Sequence, residues 1–287
     1  MIPILPALLP GAVGAHQDQR PPSAIGRRAR LNLTFAYRKG RTILVDGYAE
    51  PPFRLTRGFP EGRGVHMVLA SSAPGVFGGD VLEQSIRIGR GAQVRLTSQS
   101  AQQVHPTREA SAAQFTARFD IEDEGQLQCF WDPVIPFAGA RLNQRFEIRV
   151  EGDGQLLWSD ALMCGRHATG ERWMFAFLGH EFTVMRGDTL EYLERYRVEP
   201  AVRDVARSWI TAQAAYVGTT VVTGPAVAPD FPECLQADLE AINGIRVGVA
   251  RLDSRLLLVR LLGWSGPAFH AARIRTSDAV IRQAVRP

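Results

Sequence analysis

The sequence predicts a mainly β protein, a single large domain with about two α-helices. Apolar residues recur with a period near two between residues 31 and 177, and glycines break these runs at short intervals. Helix boundary signals occur in only two stretches, both beyond residue 230. Period-two alternation sends successive side chains to opposite faces of a strand, so each run reads as a half-buried strand.

Residues 1–26 carry Pro, Gly, Gln and Asp without apolar periodicity and read as a flexible N-terminal arm, leaving 27–287 as the folded domain. Leu31, Leu33 and Phe35 alternate with Asn32 and Thr34, and Phe115, Ala117, Phe119 and Ile121 with Thr116, Arg118 and Asp120. The same pattern appears at Leu127, Cys129 and Trp131, at Phe146, Ile148 and Val150, and at Trp173, Phe175 and Phe177. Turns are expected at Gly89, Gly91, Gly125, Gly152, Gly154, Gly179 and Gly187. Residues 231–242 open after Pro229-Asp230 and stop at Asn243-Gly244, which predicts a short helix. Residues 245–252 and 256–262 read as strands, and 265–285 as a second helix capped at Ser265. The strand at 256–262 and this last helix are either a core strand with its cover or an apolar partner-binding face. No repeat of fixed period is present.

Hydrophobic residues make up 45% of the 287 positions and charged residues 22%, enough apolar material for a sizeable core. The net charge is +4, with a pI near 9.3. The basic residues are mostly arginines, scattered along the chain, which argues against nucleic acid and suits a solvated surface or a protein interface. Cys129, Cys164 and Cys234 are far apart and lack zinc-site spacing, so a reducing, cytoplasmic setting is expected. The proline-broken apolar start lacks a basic leader region, and no run reaches the length of a membrane span.

The sequence contains no phosphate loop, no dinucleotide fingerprint and no nucleophile elbow, and Gly263-Trp264-Ser265-Gly266 reads as a turn. The six histidines are isolated, so a permanent metal centre and bound cofactors are not expected. What stands out is acidic residues in Gly- and Pro-rich segments: Asp80 after Gly78-Gly79, Asp132 before Pro133, and Glu171 after Gly170. Each is either a turn residue bonding nearby backbone N–H groups or part of a polar passage.

Six stretches, in order, resemble the urease accessory protein UreD (UreH) family. They are Leu33-Thr34-Phe35 with Gly40-Arg41-Thr42 and Leu44; Pro51 to Leu55 with Arg57 and Phe59-Pro60; Pro74 to Asp80; Gly91-Ala92 with Leu96 to Gln99; Asp132 to Ala140; and Gly165 to Glu171. The chain departs from the family pattern at Gln102 to Pro106, at Ser98 and at Trp131. The resemblance implies a β-helical or stacked-sheet fold with two helices and no catalytic activity. It implies direct binding to UreF, recruitment of the GTPase UreG through UreF, and docking on apo-urease for nickel delivery. Ni²⁺ binds imidazole and thiolate strongly, so a protein that passes the ion on is expected to offer harder ligands. Asp80, Asp132 and Glu171 are the residues expected to contact Ni²⁺ transiently, with Arg166 holding Glu171. The alternative is a β-rich carbohydrate-active enzyme using paired carboxylates. Against it stand the alternating aromatics, which suit a core, and the expected lack of a signal peptide.

Overall fold

The computed structural model describes residues 26–106, 111–207, 210–224 and 227–284. The arm expected over 1–26 lies, apart from Gly26, outside these residues. In chain order the strands are β1 (Arg28–Arg38), β2 (Arg41–Ala49), β3 (Phe53–Arg54), β4 (Phe59–Glu61), β5 (Gly64–Ser71), β6 (Val76–Phe77), β7 (Val81–Ile88), β8 (Gln93–Ser98), β9 (Gln102–His105) and β10 (Ala113–Ile121). They continue with β11 (Gln126–Phe130), β12 (Val134–Pro136), β13 (Arg141–Val150), β14 (Gln155–Met163), β15 (Phe177–Arg186), β16 (Thr189–Val198), β17 (Tyr216–Thr223), β18 (Ile245–Arg251) and β19 (Leu256–Gly263). The helices are α1 (Phe231–Glu240) and α2 (Gly266–Ala284), close to the two stretches predicted.

The chain winds as stacked coils. A seven-stranded sheet runs β16-β15-β13-β10-β7-β1-β2, and a larger sheet has the path β18-β19-β17-β14-β11-β8-β5-β3. The middle strands of both sheets pair in parallel, and the short strands β6, β9 and β12 form a third parallel side. Antiparallel partners close the ends: β2 and β16 on one sheet, β17 to β19 on the other. Val81 pairs with Gln114, Gln114 with Asn143 and Asn143 with Gly179, steps of 33, 29 and 36 residues. Coils of unequal length stack without any fixed sequence period, which is why the sequence shows none.

Tight turns repeat where one long side passes to the next. Ala92 donates to the Gly89 carbonyl, Gly125 to Glu122 and Gly154 to Glu151. These turns stack, Glu122 donating to the Ile88 carbonyl and Glu151 to Ile121. Gly89, Gly91, Gly125, Gly152, Gly154 and Gly187 therefore lie at turns as predicted, but Gly179 does not. It sits inside β15 opposite Asn143, where a Cβ would come within 2.5 Å of the Asn143 Oδ1. The run Trp173 to Phe177 is likewise not one strand: Trp173 and Phe175 are buried in the irregular approach to β15, Trp173 with φ of 53°. A positive φ there breaks the extended backbone that the alternation suggested.

Alternate residues of the two long sides fill the interior. Trp158 is its centre, its ring 4.9 Å from Phe146, 5.0 Å from Phe182 and 5.4 Å from Phe119. Burying side chains of this size contributes roughly 1.5–3 kcal/mol each. A second apolar cluster lies between the larger sheet and the helices, where Leu257, Val259 and Leu261 meet Phe269, Ala272 and Val280. The strand at 256–263 is therefore a core strand covered by α2. Gly218 and Gly263 permit that close packing, since a Cβ on either would lie 2.7 Å from Phe269.

Candidate functional site

Asp80 and Glu171 lie along one corner of the coils, where the short third side returns to the seven-stranded sheet. Asp80 is buried in the turn between β6 and β7. Its Oδ1 accepts the Arg27 N–H at 3.0 Å and its Oδ2 the Phe77 N–H at 2.9 Å. Three coils along, Glu171 lies in the loop from β14 to β15, and its Oε2 accepts the Ala138 N–H at 3.1 Å. The Arg166 guanidinium bonds both Glu171 oxygens, and its Nε lies 3.0 Å from Oε2. This pairing holds the Glu171 carboxyl below its ordinary pKa.

A ladder of rings joins these two carboxylate turns. His105 stacks on Phe77 at 4.6 Å and meets the Phe137 edge, also at 4.6 Å. Arg27 lies over Phe77 at 5.9 Å and Arg166 over Phe137 at 4.1 Å, so a guanidinium caps each end. His105 belongs to the stretch that departs from the family pattern, and here it is the middle rung.

Asp132 stands apart, following β11. Its Oδ2 accepts the Ser98 hydroxyl at 3.0 Å, while its own N–H donates to the Ser98 Oγ at 2.8 Å. Asp132 Oδ1 accepts no hydrogen bond among the described residues, and the residue lines a cavity of about 400 Å³. Gln84, Gln144, Asp160 and Tyr196 also line that cavity, against apolar walls that include Phe53 and Phe146. The Trp158 indole donates to the Asp160 Oδ2 at 3.0 Å. Protein surrounds Asp160, and this desolvation raises its pKa despite the nearby His180. His180 stacks on Tyr196 at 4.6 Å, and its Nδ1 lies 2.7 Å from the Gln144 Nε2.

The structure thus brings Asp80 and Glu171 to one corner and gives Asp132 a different companion, Asp160. Among the described residues no three His, Cys, Asp or Glu side chains group to hold a metal ion. Cys129 and Cys164 are buried thiols whose pKa burial raises, and Cys234 is exposed. Asp160 was missed in the sequence, although its parity is a signal. Leu156, Trp158, Asp160 and Leu162 share one strand face, so an acid falls on a core-facing position.

Behind the larger sheet, the Arg273 guanidinium is buried beneath α2. It donates to the Trp131 carbonyl at 2.6 Å and to Ser159, and it lies 4.2 Å over Phe130. Desolvation pulls its pKa down to about 10. Arg273 ties α2 to the chain just before Asp132. No helix among the described residues is long and apolar enough to cross a membrane.

Fold and site together define a coiled β protein with singly placed, hydrogen-bonded carboxylates along one corner and inside one cavity. A family model described as UreD urease accessory protein matches residues 27–286, and the chain belongs to that family. Among similar proteins, "Urease accessory protein UreD 2" of Streptomyces griseus is 29% identical over 283 residues, 96% of this chain and 94% of the relative. "Urease accessory protein UreD" of Acetivibrio thermocellus is 25% identical over 83% of this chain and 91% of its own length. "Urease accessory protein UreD" of Sorangium cellulosum is 32% identical over 61% of this chain and 56% of its own length.

Proposed function

We propose that this chain is a non-catalytic scaffold in urease maturation, binding UreF directly and UreG through UreF, and helping deliver Ni²⁺ to cytoplasmic apo-urease. The observation that carries the reading is membership of the UreD family over nearly the whole chain. Nickel is cargo here, and the chain holds no permanent cofactor. Asp80, Asp132 and Glu171 are the carboxylates proposed to meet the ion in transit. Of the three, Asp132 suits the role best, because its Oδ1 accepts no hydrogen bond and the residue lines the cavity. Asp80 accepts two backbone N–H groups and Glu171 is paired with Arg166, so either would have to give up existing bonds to take a cation.

The test is co-expression with UreF, UreG and apo-urease, followed by size-exclusion chromatography and nickel analysis of the recovered urease. Asp132→Asn is expected to fold, enter the complex and yield nickel-poor urease. Full nickel loading by that variant would remove Asp132 from the route, and failure of the wild-type chain to enter any complex would sink the scaffold reading.

A further inference from the structure

Both helices pack on the larger sheet, α2 covering β17 and β19 and α1 lying against β18. The outer side of the seven-stranded sheet carries no helix among the described residues. Its outward positions are the alternate residues whose neighbours fill the core. Across β1, β7, β10, β13, β15 and β16 these positions hold ten arginines and four carboxylates, and β2 adds one of each, Arg41 and Asp46. The surplus of six positive charges exceeds the net charge of the entire chain, +4. The basicity that looks scattered in the sequence is gathered on one bare face.

The charges are ordered across the strands. One cross-strand row reads Arg30, Glu83, Thr116, Arg145, Glu181 and Arg195. Arg145 and Arg195 both pair with Glu181, at 3.3 and 2.7 Å, and Arg118 pairs with Glu147 at 2.8 Å. These pairs hold the guanidinium planes in place, while the arginine side chains remain more than half exposed and keep N–H donors free. Arg28, Arg141 and Arg149 have no ion pair among the described residues. Over β10, β13, β15 and β16 the face dips into a depression of about 460 Å³ around Gly179.

We propose that this face docks a carboxylate-rich surface of a protein partner. Oriented guanidinium forks match carboxylates, and neighbouring strands present them around one depression. A nucleic acid fits less well, because the interleaved Glu83, Asp120, Glu147 and Glu181 would repel a continuous phosphate backbone. Of the rings at the depression, Phe177 is already covered by Arg197 at 4.7 Å, and Tyr196 is stacked on His180 at 4.6 Å. The proposal rests on the scaffold reading only for the partner's identity.

The test uses the full chain and immobilised poly-L-glutamate at low and high salt. Arg118→Gln/Arg145→Gln/Arg195→Gln is compared with Arg246→Gln/Arg251→Gln/Arg282→Gln, which removes the same charge elsewhere. Melting curves verify that both variants fold, as expected for exposed side chains. We expect the wild type to bind at low salt and release at high salt, the face variant to lose at least tenfold in affinity, and the control to keep most of it. Equal losses in the two variants, or tighter binding of duplex DNA than of polyglutamate by the wild type, would overturn the proposal. In co-purification with the urease maturation proteins, a wild type that assembles alongside an equally competent face variant also overturns it and leaves the scaffold standing. A wild type that assembles with none of them refutes the scaffold, while the polyglutamate comparison still decides the face.

Discussion

Arg166 and Glu171 form a two-pronged ion pair in which the same guanidinium also stacks 4.1 Å over Phe137. The pair therefore fastens the Gly165–Arg172 loop to the neighbouring coil, and the glycines of its motif have a geometric task. Gly165 has φ of +126°, and a Cβ there would lie 2.8 Å from the Glu171 carbonyl oxygen.

Gly165→Ala is accordingly expected to destabilise the protein by about 1–3 kcal/mol, through backbone strain and that contact. Chemical denaturation against wild type measures it. A cost near zero would mean that the loop can shift freely, and that the Glu171 position is not rigidly set.

The pH dependence of the Arg166–Glu171 pair has a definite sign. Arg166 lowers the Glu171 pKa in the folded state, so the stability from this pair is present above the ordinary glutamate value of about 4.3. It is lost as pH falls through the lowered folded value. Thermal melts should show Glu171→Gln below wild type at pH 7 and level with it under strongly acid conditions. Both ends of the pair are solvated, so the difference at pH 7 should be small.

Asp80 makes a different prediction, because its partners are backbone N–H groups. Asp80→Ala orphans the donors of Arg27 and Phe77 and should cost about 1–3 kcal/mol, with Asp80→Asn costing less since its carbonyl oxygen still accepts one. Urease nickel loading in the two variants, set beside their melting temperatures, separates the roles. Loading that tracks folded fraction makes Asp80 a turn residue, whereas nickel-poor urease from a stable Asp80→Asn would keep it on the route.

The cavity acid should behave in the opposite sense to Glu171. The Asp160 pKa is raised by burial, so its charged form opposes folding, and stability declines as pH rises from the unfolded value through the folded one. Asp160→Asn is expected to melt above wild type at pH 7, with the advantage vanishing in acid. If the same variant loses nickel transfer, the acid is kept for function at a stability cost.

Trp158→Ala should be the most damaging single change of those considered, at about 3–5 kcal/mol, since it empties the centre of the core and removes the Asp160 donor. Trp158→Phe keeps most of the packing and loses only the indole N–H. Denaturant midpoints should rank wild type, Trp158→Phe, Trp158→Ala in falling order.

Much of the fold can be read from one strand at a time. At Phe115 to Ile121 the alternation marks the core face, with Ala117, Phe119 and Ile121 buried and Arg118 exposed. Asn243-Gly244 ends α1 close to where it was expected, because helix stops are written in local backbone preferences. Local pattern failed at Gly179 and at Trp173 to Phe177. Glycine also serves where a neighbour crowds a strand, and alternation cannot report a residue with positive φ.

By itself the sequence determined that this is a β protein with two late helices, which strand faces are apolar, and which ordered motifs tie it to the UreD family. Each of these depends on side chains within a few residues of one another. Only the tertiary structure decided that the strands stack in parallel coils of unequal length, and that His105 links the turns of Asp80 and Glu171. It alone set Asp132 and Asp160 in the lining of one cavity and collected the scattered arginines on one bare sheet. Those relations are fixed by register between segments about 30 residues apart, and period two gives the side on which a residue lies without giving its neighbour in the next coil.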